Sequence, residues 1–146
     1  MNITEKLKEM KGHLSLQRIS RTGEVIESYE WDNLIVTSGY NAAAQALAGV
    51  AGAKINAIAL GSNSNNPTLE DTDITNPLSF SFTDIEYFEP AKVKFNFTID
   101  FFEAIGMDIY EWGLITQDGR LFSRIVRPPI SKTNEMMLVG SWTINI

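Results

Sequence analysis

One stretch interrupts a chain that otherwise alternates apolar and polar residues with the two-residue period of a β-strand. From Asn33 to Gly61 the sequence reads NLIVTSGYNAAAQALAGVAGAKINAIALG, and it carries the only strong helix signal in the protein. Asn33-Leu34-Ile35-Val36 is a short apolar run, after which Thr37 or Ser38 offers a side-chain oxygen to the free N–H groups of a helix start. The alanines at 42, 43, 44, 46 and 48 lose little side-chain entropy on ordering and predict a helix from about Ser38 to Ala48. Tyr40, Ala43, Ala44 and Leu47 recur at helical spacing and define the stripe expected to lie against a sheet. Gly49 and Gly52 end the helix, and Ile55–Gly61 restarts the chain as a strand. A single helix set among strands restricts the fold to the mainly-β class. The expected form is an antiparallel β-sandwich or a partly closed barrel with one packed Ala-rich helix.

The strands follow from the alternation. Residues 1–11, with Ile3, Leu7 and Met10 at helical spacing, read as a short helical turn or a loose arm ahead of one β-rich domain spanning 12–146. Gly12 to Trp31 is a hairpin around the turn Arg21-Thr22-Gly23-Glu24. Leu78, Phe80 and Phe82 mark one long strand, and Val93, Phe95, Phe97 and Ile99 mark another. Joined near Glu86 to Ala91, the two are expected to pair antiparallel. Met107 to Thr116 is a strand with Gly113 as a bulge or close-approach point. Gln117-Asp118-Gly119-Arg120 is a turn, and the return strand from Leu121 to Arg127 is expected to stop at Pro128-Pro129 for want of ladder donors. Glu135 to Ile146 is a final strand whose removal should unfold the domain. Between them, Ser62 to Pro77 is the longest irregular stretch, a length that often marks a functional loop. Within it Thr68 can begin a helical turn, and Glu70, Asp71 and Asp73 carry oxygens suited to Ca²⁺. The spacing lacks the Gly and the distal Glu of an EF-hand loop, so turn chemistry is the expected role of these acids.

Composition removes several function classes. The net charge of −6 argues against a general nucleic-acid binder, and Lys6, Lys8, Lys11, Arg18 and Arg21 are interspersed with Glu5 and Glu9 as on a solvated face. No stretch approaches the roughly 20 apolar residues of a membrane span, and the start has no apolar core of a signal peptide. Without cysteine there is no thiolate nucleophile, thiolate metal site or disulfide, which suits synthesis in a reducing cytoplasm. His13 is the only histidine, no nucleophile elbow accompanies it, and no phosphate loop occurs. Asp100, Glu103, Asp108 and Glu111 gather near one corner, where two carboxylates could sit close enough for glycoside hydrolysis, but 146 residues leave little room for a sugar cleft. The expectation is a protein without catalytic, cofactor-binding or metal-binding residues.

A series of features in fixed order resembles a loose family of small bacteriophage and prophage virion proteins of the tail region. They are the Thr22-Gly23-Glu24 turn; Asn33-Leu34-Ile35-Val36-Thr37-Ser38-Gly39 entering an alanine-rich helix; Ile58-Ala59-Leu60-Gly61-Ser62 followed by Pro67-Thr68-Leu69-Glu70-Asp71-Thr72; Glu111-Trp112-Gly113-Leu114-Ile115; Asp118-Gly119-Arg120-Leu121-Phe122-Ser123-Arg124; and the ending from Pro128-Pro129-Ile130-Ser131-Lys132 to Trp142-Thr143-Ile144. The resemblance covers about residues 12–146. The Asn-rich Ser62 to Asn66 insert and the N-terminal arm depart from it. It implies a structural particle component of the tail, baseplate or fibre attachment region, found in the virion and partnered by other virion proteins and by copies of itself, with a trimer favoured. A capsid decoration or cement protein is the second expectation, with the arm clasping neighbouring subunits. A carbohydrate-binding module is the third, with Tyr87, Tyr110 or Trp112 stacking on sugar faces, although Tyr110 and Trp112 share an apolar strand face that favours burial.

Overall fold

The computed structural model describes residues 9–146 and shows two antiparallel five-stranded sheets packed face to face. In chain order the elements are β1 (Lys11–Ser20), β2 (Val25–Asp32), β3 (Leu34–Ile35), α1 (Thr37–Leu47), β4 (Ile55–Gly61), β5 (Leu78–Ser81), β6 (Asp84–Phe88), β7 (Lys92–Ile99), β8 (Asp108–Thr116), β9 (Leu121–Ser131) and β10 (Met136–Asn145). One sheet runs β2-β1-β10-β7-β6 and the other β3-β9-β8-β4-β5. Both sheets keep free edges, so the fold is a sandwich and not a closed barrel. The expected helical turn or arm at 1–11 falls mostly outside the described residues; of it, Met10 packs against the core and Lys11 opens β1.

Alternation places the core. Leu14 and Leu16 of β1, Phe95, Phe97 and Ile99 of β7, and Leu138, Trp142 and Ile144 of β10 are buried from one side. Ile58 and Leu60 of β4, Ile109, Trp112 and Leu114 of β8, and Ile125 and Ile130 of β9 meet them in one continuous cluster. The Phe97 and Trp112 ring centroids lie 6.2 Å apart across the contact. Phe97 also lies over its cross-strand partner Gly140, where a Cβ would come within 2.4 Å of the ring. The hairpin of β1 and β2 forms as the sequence predicts, and β10 is tied down between β1 and β7.

Several expectations are corrected. The strand at Leu78 does not pair with β7: β5 joins β4 in one sheet, and β7 pairs with β6 in the other. Only Phe82 and Thr83 separate β5 from β6, and the Thr83 amide donates to the Asn96 carbonyl at 2.8 Å to fix the crossing. The second strand, β6, is hidden in the sequence because an edge strand need not bury one clean face; Ile85 is 55% and Tyr87 69% exposed. Likewise, β9 runs through Pro128 and Pro129. The register slips between Ile109 and Glu111, so Arg127, Pro128 and Pro129 bulge opposite β8 where no ladder donor is needed.

The helix starts one residue earlier than expected, and neither Thr37 nor Ser38 caps it. Val36 is the N-cap residue and makes no side-chain cap bond, while the Ser38 hydroxyl donates to the Leu121 carbonyl at 2.5 Å. Its buried residues are Gly39 and Ala42; of the expected Tyr40-Ala43-Ala44-Leu47 stripe only Ala43, half-buried, packs against the core. Gly39 decides this: a Cβ there would lie 2.0 Å from the Phe122 carbonyl oxygen, so the glycine lets α1 seat on β9 and turns the larger apolar residues outward.

Candidate functional site

The most highly built polar site holds the long loop onto the outer face of the β9-β8-β4 sheet. Cross-strand partners share a face, and the register sets Ala59 opposite Gly113, Gly61 opposite Glu111, and Gly113 opposite Arg124. These residues line the side of the sheet away from the main core. Two glycines leave a hollow in that face. A Cβ on Gly61 would lie 2.4 Å, and one on Gly113 2.7 Å, from Ile74, which the loop inserts there. Ile74 forms a second small core with Val36, Ala59 and Leu121. Gly113 is therefore the close-approach point that its place in a strand predicts.

Beside this plug, the carboxylate of Glu111 and the guanidinium of Arg124 are buried together, at 0% and 2% exposure. Glu111 accepts from the Asn63 amide at 2.6 Å, the Thr75 amide at 3.3 Å and Arg124 Nε at 3.2 Å. Arg124 Nη1 donates to Asp71 at 2.9 Å, and Nη2 donates to the Asn63 carbonyl at 3.2 Å. Asp71 in turn accepts from the Thr68 amide and hydroxyl, both at 2.9 Å, which closes the turn predicted at Thr68. Burial alone would raise the Asp71 pKa, but the bonds from Thr68 and Arg124 outweigh it and hold the carboxyl below its ordinary value. The amide of Thr37 donates to the Leu69 carbonyl at 2.9 Å and ties the same loop to the start of α1.

Chemically, this constellation is saturated. All three guanidinium nitrogens donate within it, and both oxygens of Glu111 and of Asp71 accept from protein groups. Breaking one member of such a buried pair is costly, while the pair itself fixes geometry more than it adds stability. The loop that its length marks as functional is a fastened cover for a sheet face. The Ca²⁺ alternative for Asp71 has no free oxygen to work with, and no group of three or more metal-ligating side chains occurs among the described residues. Pairing of Glu111 with Arg124 is not among the sequence expectations, although each is a charge inside an apolar strand on either side of the Gln117–Arg120 turn, which is a usable signal.

The other candidate residues are dispersed. Of the corner acids, Asp108 accepts from the Ser131 hydroxyl at 2.6 Å, Glu103 accepts from the Asp100 amide at 3.0 Å, and Glu111 belongs to the loop site. Nearby, Lys132 is buried and donates to the carbonyls of Phe101 and Thr133, and burial pushes its pKa down. His13 lies between Asp32, 2.8 Å from Nδ1, and Glu30, 3.4 Å from Nε2, on the exposed side of the hairpin. Arg127 stacks over Tyr29 and Trp31 at 4.2 and 4.4 Å, covering a pair of nearly parallel aromatic rings. Trp112 is wholly buried and Tyr110 half-buried; Tyr87 is exposed.

The unsatisfied surface is apolar. Leu47 of α1 is 91% exposed, with Val50 at 48% and Tyr40 at 40%. Alongside the helix, Ala43 and Ala46 line a groove of about 330 Å³ with Ile55, Ile85 and Phe95. No helix is long and apolar enough to cross a membrane among the described residues. No family model, no curated protein and no solved structure matches this chain.

Proposed function

We propose that the protein is a structural component of a bacteriophage virion, in the tail, baseplate or fibre attachment region. It is made in the host cytoplasm and built into the particle, where it acts without catalysis by binding other virion proteins and copies of itself. One observation supports this reading beyond the sequence resemblance. The buried Glu111–Arg124 pair and Asp71 are consumed in holding the long loop to the sheet, whereas α1 leaves Tyr40 and Leu47 exposed beside Val50, so the surface is equipped for contact and not for chemistry. A stacking platform for sugars finds less support, because Trp112 lies in the core and Tyr110 is half-buried, which leaves Tyr87 as the one exposed ring of the three.

The test is location on particles. Virions are purified from cells in which the gene carries an epitope tag, then analysed by mass spectrometry and by gold-labelled antibody in the electron microscope. Co-purification at fixed stoichiometry with label at the tail supports the proposal. Label on the head moves the protein to the decoration class, and absence from particles overturns the virion reading.

A further inference from the structure

Two arginines meet at one edge of the sandwich with donors that the protein itself does not use. The register sets Arg18 opposite Glu27, Leu16 opposite Tyr29 and Leu14 opposite Trp31. Cross-strand partners share a face, and Leu14 and Leu16 are wholly buried, so Arg18, Glu27, Tyr29 and Trp31 lie on the inner face of β1 and β2 at the rim of the core. Arg127 reaches them from β9 in the opposite sheet. Its guanidinium stands 4.2 Å from the Tyr29 ring and 4.4 Å from the Trp31 ring, which themselves stack 5.1 Å apart. Arg18 and Arg127 share Tyr29 and Glu27 as electrostatic neighbours. Hydrogen bonding leaves both cations incomplete. Arg18 Nη1 donates to Glu27 at 2.5 Å, but its Nε is buried without an acceptor. Arg127 Nε donates to the Pro128 carbonyl at 2.5 Å, but its Nη1 is buried without an acceptor. The ion-paired arginines among the described residues are Arg18, Arg120 and Arg124, so Arg127 has no carboxylate at all.

Of the buried side-chain nitrogens and oxygens that lack a partner among the described residues, these two alone belong to charged groups. Buried donors are nearly always satisfied, so two charged exceptions in one place call for an acceptor from outside the chain. Burial pushes the Arg127 pKa down and the charge on Arg18 adds to that, against Tyr29 and Glu27, so a further negative charge would stabilise the cation. The way in is open. β3 covers β9 only at Ser123 and Arg124, and beside it a cleft of about 410 Å³ is lined by Trp31, Leu34, Ile125 and Val126. Those walls suit a short aliphatic stem, and the carboxylate in the lining, Asp32, is turned to His13. A guanidinium held flat by stacking presents parallel N–H groups that match the two oxygens of a carboxylate. The geometry points to a carboxylate-binding site formed by Arg127 and Arg18, which takes an aspartate or glutamate side chain of a partner chain through the cleft beside Trp31. This rests on the reading of the protein as one that acts by contact, and it names the chemistry of one contact.

The probe is glutamate capped at both its amino and α-carboxyl groups, titrated into the full-length protein labelled with fluorotryptophan at an ionic strength held constant with sodium chloride. The fluorine resonance of Trp31 should move saturably, while those of the buried Trp112 and Trp142 stay in place. Capped glutamine has the same shape without the charge and should give no shift, and inorganic phosphate should need a several-fold higher concentration. Arg127→Gln should abolish the response. Arg18→Gln leaves the stack over Tyr29 and Trp31 intact and should weaken binding several-fold, with native Trp112 and Trp142 signals reporting that the fold is kept. A shift that grows without saturating, that capped glutamine reproduces, that phosphate produces at lower concentration, or that Arg18→Gln leaves unchanged overturns the site. Location on particles is decided separately by the labelling experiment, so the site can fail while the virion reading stands.

Discussion

At the scale of single residues, the protein depends on a few positions where one atom decides the packing. Arg124 is one. Its replacement by Met leaves Glu111 charged and buried with only two backbone amides, and loss of one partner from a buried pair costs about 3–5 kcal/mol. Urea unfolding should show that loss in full for Arg124→Met and a smaller one for the Arg124→Met/Glu111→Gln double variant, since the two share one network. Gly39 is another. A Cβ there meets the Phe122 carbonyl, which is backbone and cannot rotate away, so Gly39→Ala should lower stability by about 1–3 kcal/mol, the usual cost of overpacking, despite the better helix propensity of alanine. His13 gives a residue-scale pH effect. Its hydrogen bond to Asp32 chiefly raises its pKa above 6.5, with burial opposing and Glu30 assisting. A raised pKa means that the imidazolium adds stability below 6.5, and that this small, solvent-screened contribution disappears as pH rises through the folded-state value. As the only histidine, it gives a single Hε1 resonance in a proton NMR titration, and Asp32→Asn should move its midpoint down; an unchanged midpoint would remove Asp32 as the cause.

Elements were legible wherever burial imposes a period and illegible where it does not. β7, β8 and β10 bury one or both faces along their length, and their alternation or apolar runs announce them. β6 hangs at an edge with Ile85, Tyr87 and Phe88 all exposed, so its pattern has no face to report, and the sequence alone offers β7 as the neighbour of the strand at Leu78. Alanine content places the helix within a residue of its start but does not report its buried side. Helical spacing of apolar residues points to Tyr40, Ala43, Ala44 and Leu47, whereas close approach to β9 selects the smallest residues, Gly39 and Ala42. The length of the long loop marks it as unusual, but its fastening is not legible locally, because its anchors Glu111 and Arg124 lie on strands much later in the chain. That fastening titrates. With the Asp71 carboxyl held below its ordinary value of 3.8, its ion pair contributes stability above that value and loses it as pH falls through the folded-state pKa. The stability gap between the native protein and Asp71→Asn, measured by urea unfolding, should therefore be constant above about pH 5 and shrink below 3.8.

For the whole molecule, the sandwich makes a stronger demand than either sheet alone. Neither sheet has an inner face that tolerates water: Trp142 from one and Trp112 from the other are both 0% exposed, and they belong to a single cluster that includes β1, β4, β7, β8, β9 and β10. Exposing the inner side of one sheet exposes that of the other, so neither has a stable state of its own. β10 is central to this, since it carries Leu138, Trp142 and Ile144 into the cluster while pairing with both β1 and β7. A chain ending before Met136 should accordingly yield no folded protein, rather than a sandwich with a frayed edge. In the full chain the two sheets should unfold together. Fluorotryptophan labelling gives three fluorine resonances, one for each tryptophan. Those of Trp112 and Trp142 should lose their native signals at the same urea midpoint, as two-state unfolding requires. Trp31 lies on the edge strand β2, where it stacks beneath Arg127 of the opposite sheet, and it should share that midpoint because its cover comes from across the sandwich. Two separate midpoints for Trp112 and Trp142 would mean that the sheets are independent folding units and that the shared core is not what holds this protein together.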